Sequence, residues 1–206
     1  MPELPEVETV TNSIKKHLIN QRFDDLNVLW PKVLHNFTVS DFKNRIKNQK
    51  ITSIYRRAKY IVFEFKSCIM AVHLRMTGKL YVVSEIDENK KHISIVLKFS
   101  DKYLIFEDTR KFGRFYLHKN MDNLNSKLGP EPLTESFSFE WMYENMKNRN
   151  RQIKSLLLDQ SFIAGLGNIY TDEVLWYSKI HPLSKSDSIS KQKIRELVCA
   201  IKRVLS

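Results

Sequence analysis

Apolar residues recur with two different periods along the chain, which separates helical from strand-forming parts. A period of three to four residues near the start predicts a helix that begins near Pro5. Its apolar positions are Val7, Val10, Ile14 and Leu18. A second helix is predicted over 40–49, capped by Ser40 or Asp41.

Short segments rich in β-branched and aromatic residues follow, with polar or glycine-containing turns between them. The predicted strands are Tyr60–Phe65, Ile69–Leu74, Leu80–Val83, Ile93–Phe99, Tyr103–Phe106 and Arg114–Leu117. Several short strands in succession are typical of a β-sandwich or a barrel-like sheet.

The composition changes after the segment LGPEPL at 128–133, where two prolines and a glycine interrupt the chain. We therefore place a domain boundary near residue 133. The helices predicted beyond it are one capped by Ser138 and ending at Met146, one over Arg151–Asp159, one from Asn168 and one from about Ser190. The expected fold is α+β: an N-terminal β-sandwich with flanking helices over 1–133, then an all-helical domain over 134–206.

Bulk composition limits the class of protein. Hydrophobic residues make up 42% and charged residues 28% of 206 residues, which is ordinary for a globular protein. No apolar run approaches the ~20 residues that span a bilayer, and the acidic start does not resemble a signal peptide. We expect a cytoplasmic protein with no membrane partner. Two cysteines, Cys68 and Cys199, provide neither a disulfide framework nor a cysteine-rich zinc site.

The net charge favours a polyanionic partner. Lysine and arginine number 34 against 23 acidic residues, a net charge of +11. The excess is concentrated in 41–60, 147–154 and 179–206. Such clusters suit nucleic acid, although each is also consistent with a solvated protein face.

The N-terminus carries candidate chemistry. Removal of Met1 before a small residue would leave Pro2 with a free secondary amine, and an α-amino group titrates near ~8. A neutral amine can attack an electrophilic sugar carbon and form an iminium, and the neighbouring Glu3 could move protons. Taken alone, the same residues could be a frayed chain start.

Six blocks along the chain carry a resemblance to a known family. They are MPELPEVETV at 1–10, RRAKY at 56–60, HLRMTGKL at 73–80, EDTRKFGRF at 107–115, LGPEPL at 128–133 and IKSLLLDQSFIAGLGNIYTDEVLW at 153–176. In this order they resemble the bacterial formamidopyrimidine-DNA glycosylase family, which is related to endonuclease VIII. The resemblance covers nearly the whole chain and makes the helical domain a helix–two-turn–helix domain.

The resemblance implies three catalytic residues. Pro2 corresponds to the Schiff-base nucleophile that attacks the deoxyribose C1′ as the damaged base leaves. Glu3 corresponds to the acid/base that protonates the sugar ring oxygen. Lys59 corresponds to a further catalytic residue that contacts phosphate beside the lesion, whereas by itself it could be a solvated lysine at a strand edge.

A second set implied by the resemblance fills the gap that an extruded base leaves in the stack. Met76, Arg110 and Phe112 correspond to this set: an apolar wedge replaces stacking, and the guanidinium hydrogen-bonds the orphaned base. Met76 and Phe112 could instead be core residues, but both lie in predicted turns.

Further DNA contacts are implied in the helical domain and before the strand at 93. Asn168 and Lys154 would contact the backbone beside the lesion, where the N–H groups of a helix N-terminus also suit phosphate. Arg149 and Arg151 would add phosphate contacts, although a solvated face is an open alternative. His92 is the part of a family pair of histidines that this chain retains.

Family members continue into a zinc finger with four cysteines, whereas this chain stops at Ser206. We therefore expect no metal site and no cofactor in this chain, which could be a fragment, a truncated product or a naturally shortened relative.

The resemblance implies a bifunctional glycosylase and abasic-site lyase of base excision repair. Its substrate would be double-stranded DNA containing oxidised purines, 8-oxoguanine and formamidopyrimidines, and it would act as a monomer. The alternatives are an oxidised-pyrimidine-specific relative and a lesion-binding protein with little turnover because the finger is missing.

Overall fold

The computed structural model describes residues 1–87 and 89–206 and divides into two compact units. The first unit comprises Met1–Pro2 and Glu6–Asn123, and the second comprises Glu3–Pro5 and Leu124–Ser206. Within the described residues, no helix has both the length and the apolar composition needed to cross a bilayer.

In its described residues, the first unit has two long α-helices and eight strands. The helices are α1 (Leu4–Leu18, whose first two residues belong to the second unit) and α2 (Val39–Ile46). The strands are β1 (Phe23–Val28), β2 (Ser53–Arg57), β3 (Tyr60–Glu64), β4 (Ile69–His73), β5 (Gly78–Val83), β6 (Ile93–Phe99), β7 (Lys102–Asp108) and β8 (Arg114–His118).

The strands form two antiparallel four-stranded sheets, in the orders β1-β6-β7-β5 and β2-β3-β4-β8. Side chains from both sheets and both helices share one hydrophobic core. Phe106 of the first sheet meets Phe115 of the second edge to face, with ring centroids 5.3 Å apart. The β-sandwich with flanking helices that the sequence predicts is therefore confirmed.

Two strands were missed by the sequence pattern, β1 and β2. Each lies at the end of its sheet, beside only one other strand of that sheet. Charged residues interrupt both sequences, Asp24 and Asp25 in the first and Arg56 and Arg57 in the second. Edge strands commonly carry such charges because they discourage pairing with other chains, and the charges hide the alternating pattern.

The cap of α2 differs from the prediction of Ser40 or Asp41. Thr38 is the N-cap: its side chain accepts a hydrogen bond from the Asp41 N–H at 3.1 Å. The Asp41 carboxylate in turn accepts one from the Thr38 N–H at 2.8 Å. This reciprocal capping box begins the helix one residue earlier than expected, at Val39.

The second unit is helical. Its main helices are α4 (Phe139–Met146), α5 (Ile153–Leu158), α6 (Asn168–Ser178) and α7 (Lys191–Leu205), preceded by the short α3 (Asp122–Asn125) at the unit boundary. Ser138 caps α4 as predicted, since its hydroxyl accepts from the Trp141 N–H at 3.1 Å. Apolar faces of these helices and Leu4 form a separate core.

The second unit begins at Leu124, earlier than the boundary predicted near residue 133. The segment 128–133, which contains the two prolines and the glycine, makes hydrogen bonds within this unit. The Gly129 N–H donates to the Gln160 carbonyl, and the Ala164 N–H donates to the Pro130 carbonyl. Prolines and glycine therefore shape a loop of the helical unit here instead of a linker ahead of it.

The capping box gives a stability prediction with an internal control. Thr38→Ala should lower the free energy of unfolding by about 1 kcal/mol, because it leaves the Asp41 N–H without its side-chain acceptor. Ser40→Ala, at an exposed position inside the helix, should be neutral or slightly stabilising. Equal losses in urea unfolding of the two variants would contradict the assignment of Thr38 as the cap.

Candidate active site and nucleic-acid interface

The carboxylate of Glu3 is held by the N-terminus of α6. Glu3 is 2% exposed, and its two oxygens accept hydrogen bonds from three backbone N–H groups. The Gly167 N–H donates to Oε2 at 2.6 Å, Ile169 to Oε1 at 2.9 Å and Tyr170 to Oε2 at 3.3 Å. A negative side chain at this position is also favoured by the helix dipole.

This arrangement requires glycine at position 167. A Cβ on that residue would lie 2.4 Å from Glu3 Cδ and 2.5 Å from Oε1. The adjacent Leu4 N–H donates to the Gly165 carbonyl at 3.1 Å, which fixes the chain on the other side of Glu3. The sequence analysis considered the N–H groups at this helix N-terminus for phosphate; in the structure, those of Gly167, Ile169 and Tyr170 donate to Glu3.

In the first unit, the chain terminus lies beside an open cavity. Pro2 is half-buried, and Met1 lines a cavity of about 460 Å³. The other lining residues are His35, Arg75, Met76, Phe112, Arg114 and Tyr116. The residue whose removal would expose the Pro2 amine thus shares a cavity with two predicted wedge residues.

Lys59 lies in the two-residue turn between β2 and β3, where the preceding Ala58 has a left-handed φ of 53°. It is only 4% exposed, so the alternative of a solvated lysine is excluded. The positive charge of Lys59 is one of the causes that lower the pKa of His73, at the end of β4.

His73 is a site candidate that the sequence analysis did not single out. Burial, and then the charges of Arg75 and Lys59, lower the pKa of His73 to about 3, so the ring is neutral at pH 7. Its Nδ1 accepts from the Arg75 N–H at 3.0 Å. The proton of the neutral ring is therefore on Nε2, which makes this atom a donor. The signal available in the sequence was the histidine that opens the block HLRMTGKL.

The predicted wedge residues are exposed. Met76 is 43% and Phe112 is 47% exposed, so neither belongs to the core. Met76 lies in the turn before β5, and Arg110 and Phe112 lie in the loop between β7 and β8. The Arg110 guanidinium stacks over the Phe112 ring, 4.8 Å from its centroid.

The basic residues predicted in the second unit make contacts within it. Lys154 forms an ion pair with Asp172 of α6 at 2.7 Å, and Arg151 forms one with Asp159, also at 2.7 Å. The Arg151 hydrogen bond is the main cause that lowers the pKa of Asp159 to about 2. Exposed Arg149 lies over the Phe162 ring, with 5.5 Å to its centroid.

The two remaining predicted DNA contacts, Asn168 and His92, are both exposed and lie in different units. Asn168 is the first residue of α6, with its side chain exposed in the second unit. His92 is exposed in the first unit, just before β6, with a left-handed φ of 70°.

Models of two domains of one family match the chain in order. The formamidopyrimidine-DNA glycosylase N-terminal domain matches residues 1–115, and the H2TH domain of the same enzymes matches residues 128–206. The chain belongs to the formamidopyrimidine-DNA glycosylase family. This confirms the resemblance read from the six sequence blocks.

Curated members of the formamidopyrimidine-DNA glycosylase family align over the whole chain. The protein of Protochlamydia amoebophila is 43% identical over all of this chain and 75% of its own length. That of Ligilactobacillus salivarius is 43% identical over 96% of this chain and 73% of its own length. The chain thus spans about three quarters of these relatives.

Solved structures of the formamidopyrimidine-DNA glycosylase family share the fold. The Lactococcus lactis Fpg, in complex with DNA containing an abasic site, superposes with a TM-score of 0.92 at 35% identity, over 98% of this chain and 76% of that one. MutM in complex with DNA containing carbocyclic 8-oxo-G gives 0.93 at 36% identity, over 99% and 78%. The α+β fold with a helix–two-turn–helix domain is therefore confirmed.

The zinc that the family resemblance implies does not fit the donors in this chain. Cys68 is buried in the first unit, and Cys199 is exposed in the second. Across 1–87 and 89–206, no three His, Cys, Asp or Glu side chains are grouped so that they could hold a metal ion.

The close contact between Gly167 and the Glu3 side chain gives a prediction that a double-mutant cycle can test. Gly167→Ala should lower the free energy of unfolding, because the new Cβ overlaps the Glu3 side chain. In a Glu3→Ala background the overlap is gone, so the same substitution should cost at least ~1 kcal/mol less, within the usual range for residues in contact. Denaturant unfolding of the four proteins measures this coupling, and additive losses would refute the proposed contact.

Proposed function

We propose that this chain is a DNA glycosylase of base excision repair that removes oxidised purines, 8-oxoguanine and formamidopyrimidines, and then cleaves the strand at the abasic site. It would act as a monomer on double-stranded DNA. Support comes from family membership and from relatives solved with abasic and 8-oxo-G DNA. The net charge of +11 suits the polyanion.

The observation that carries the proposal is the burial of Glu3. A frayed chain start would leave the third residue in water, whereas here its carboxylate accepts three backbone hydrogen bonds. The residue joined to it, Pro2, is the one whose amine would react. Fixing the neighbour of a nucleophile is an expected feature of a site that depends on orientation.

The proposed reaction begins at the Pro2 nitrogen. Its lone pair forms a bond to C1′ of the extruded nucleotide as the bond from C1′ to the base breaks, and the base departs with the bonding electrons and takes up a proton. The Glu3 carboxylate takes up the proton that the Pro2 nitrogen loses and passes it to the ring oxygen, so the sugar opens to an iminium on Pro2. Proton loss from C2′ then eliminates the 3′ phosphate and nicks the strand, and hydrolysis frees the enzyme.

The remaining residues would bind and shape the DNA. Lys59 would contact the phosphate beside the lesion, and the neutral His73 could donate a hydrogen bond to the same backbone. Lys154 and Asn168, with Arg149 and Arg151, would hold phosphates on the helical unit, and His92 would add a contact on the sandwich. Exchange of an exposed ion pair such as Lys154–Asp172 for phosphate would cost little.

The nucleophile is tested by trapping. Borohydride should reduce the iminium on lesion or abasic DNA and leave a covalent adduct that peptide mapping places on Pro2. A form that retains Met1 should give no adduct, because its secondary amine is acylated. Mapping of the adduct to an internal lysine would overturn the assignment, and the absence of nicking in single turnover would favour a binding protein.

The wedge is tested by separating extrusion from strand cleavage. Phe112→Ala truncates an exposed side chain and should change unfolding by less than ~0.5 kcal/mol, whereas a core Phe→Ala costs roughly 3–5 kcal/mol. Excision from an intact lesion duplex should fall, because the unstacking cost is no longer offset. Nicking at a preformed abasic site, where no base is extruded, should fall less.

Leu29→Ala is the matched control, since Leu29 is also exposed and apolar but lies outside the wedge. It should change neither activity. If Phe112→Ala depresses both activities equally and destabilises the protein by several kcal/mol, Phe112 is a structural residue and the wedge assignment fails.

A further inference from the structure

Asp108, the last residue of β7, is a fully buried carboxyl group that the proposed reaction does not use. A buried carboxyl group is costly unless hydrogen bonds compensate it. Its partners therefore show what the fold gains from keeping it there.

The carboxyl group connects two loops. Oδ1 accepts from the Thr77 hydroxyl at 2.5 Å and from the Arg110 N–H at 3.2 Å, and Oδ2 accepts from the Gly113 N–H at 2.8 Å. Thr77 follows Met76 directly, whereas Arg110 and Gly113 enclose Phe112. The Arg110 N–H also points to the Thr77 hydroxyl oxygen at 3.2 Å, which closes the network.

The backbone of Asp108 extends this connection. Its N–H donates to the His92 carbonyl at 3.0 Å, and its own carbonyl accepts from the Lys111 N–H at 3.3 Å. Apart from Lys59, the predicted DNA contacts on the sandwich are Met76, His92, Arg110 and Phe112. His92 and Arg110 hydrogen-bond directly to Asp108. Met76 adjoins Thr77 and Phe112 adjoins Gly113, both of which donate to the Asp108 carboxyl group.

The loop held by Asp108 is conformationally demanding. Lys111 adopts a left-handed φ of 57°, which is strained for a residue with a side chain. Gly113 has no room for a side chain, since a Cβ would lie 2.2 Å from Phe106 Cζ. Such a backbone needs surrounding bonds to maintain it, and the Asp108 carboxyl group supplies them at Arg110 and Gly113.

We propose that Asp108 is a positioning residue that holds Met76, Arg110 and Phe112 as one preorganised wedge. This inference rests on the proposed function. Because the loops are fixed before DNA arrives, the entropy cost of ordering them does not add to the free energy of base extrusion. Without Asp108, the wedge would have to order on the DNA, and its reading of the opposite base would weaken.

The test uses Asp108→Ala and Asp108→Asn, together with Thr77→Val and the conservative Thr77→Ser. Asp108→Ala should lower excision from a lesion duplex roughly tenfold or more, the effect of one or more lost hydrogen bonds. Nicking at a preformed abasic site should fall much less, and the preference for the base opposite the lesion should diminish. Asp108→Asn should be intermediate, because one oxygen remains as an acceptor.

The threonine pair keeps the proposal testable if the Asp108 variants fail to fold. Thr77→Val removes the hydroxyl and should weaken the opposite-base preference, whereas Thr77→Ser retains it and should preserve that preference. Thr11→Val is the matched control: it removes a buried hydroxyl whose hydrogen bond, to the Val7 carbonyl at 2.7 Å, lies within α1. Equal effects of Thr11→Val and Thr77→Val on the preference would overturn the proposal.

Hydrogen exchange of the free protein gives a readout independent of activity. In Thr77→Val or Asp108→Ala, the amides of residues 110–113 should exchange at least about tenfold faster, with β3 and β4 unchanged. Unchanged exchange in this loop would refute the positioning role. If the parent chain cleaves no DNA but the loop still loosens, the proposed function fails and the structural role of Asp108 stands.

Discussion

The second unit depends on the hydrogen bonds that one buried carboxyl group, that of Glu3, accepts from backbone N–H groups at the start of α6. The Gly167, Ile169 and Tyr170 N–H groups donate to this carboxylate and compensate for its burial. This fixes where α6 starts, excludes a side chain at Gly167, and places Leu4 in the helical core. The N-terminal residues thereby become a structural part of a unit whose other residues begin more than one hundred positions later. A chain start held this way can position reactive chemistry, which a frayed terminus could not.

The sandwich holds two large apolar side chains, Met76 and Phe112, where they are exposed to water. Met76 and Phe112 remain 43% and 47% exposed in the free protein, and their loops contain left-handed residues. Arg75 and Lys111 both have positive φ. Strain and exposed apolar surface commonly coincide at functional sites, where the surrounding fold compensates for them. Here the compensation comes from the aromatic core under the loops and from the Asp108 carboxyl group between them.

Charge acts at two ranges. The excess of +11 can steer DNA to the protein over a distance of about a Debye length. At short range, Lys154 and Arg151 are already paired with acidic residues of their own unit, which orients them. The Lys154–Asp172 pair, whose side chains are 34% and 58% exposed, contributes little to stability, so phosphate can replace the Asp172 carboxylate at small cost. The same basic residues can thus be ordered in the free chain and available to a polyanion.

The sequence by itself determined the main helices and most strands, because these depend on neighbours within a few residues. The period of apolar positions predicted α1, and Ser138 was predicted to cap α4, whereas Pro2 and Glu3 became candidates through the six blocks shared with the family. Only the tertiary structure decided the rest. The edge strands β1 and β2 become strands through pairing, and the Gly167 N–H before α6 donates to a carboxylate 164 residues away. Thr77 and Asp108 lie 31 positions apart in the chain. The pattern along a chain records local preference, whereas partners so far apart are chosen only when packing brings them together.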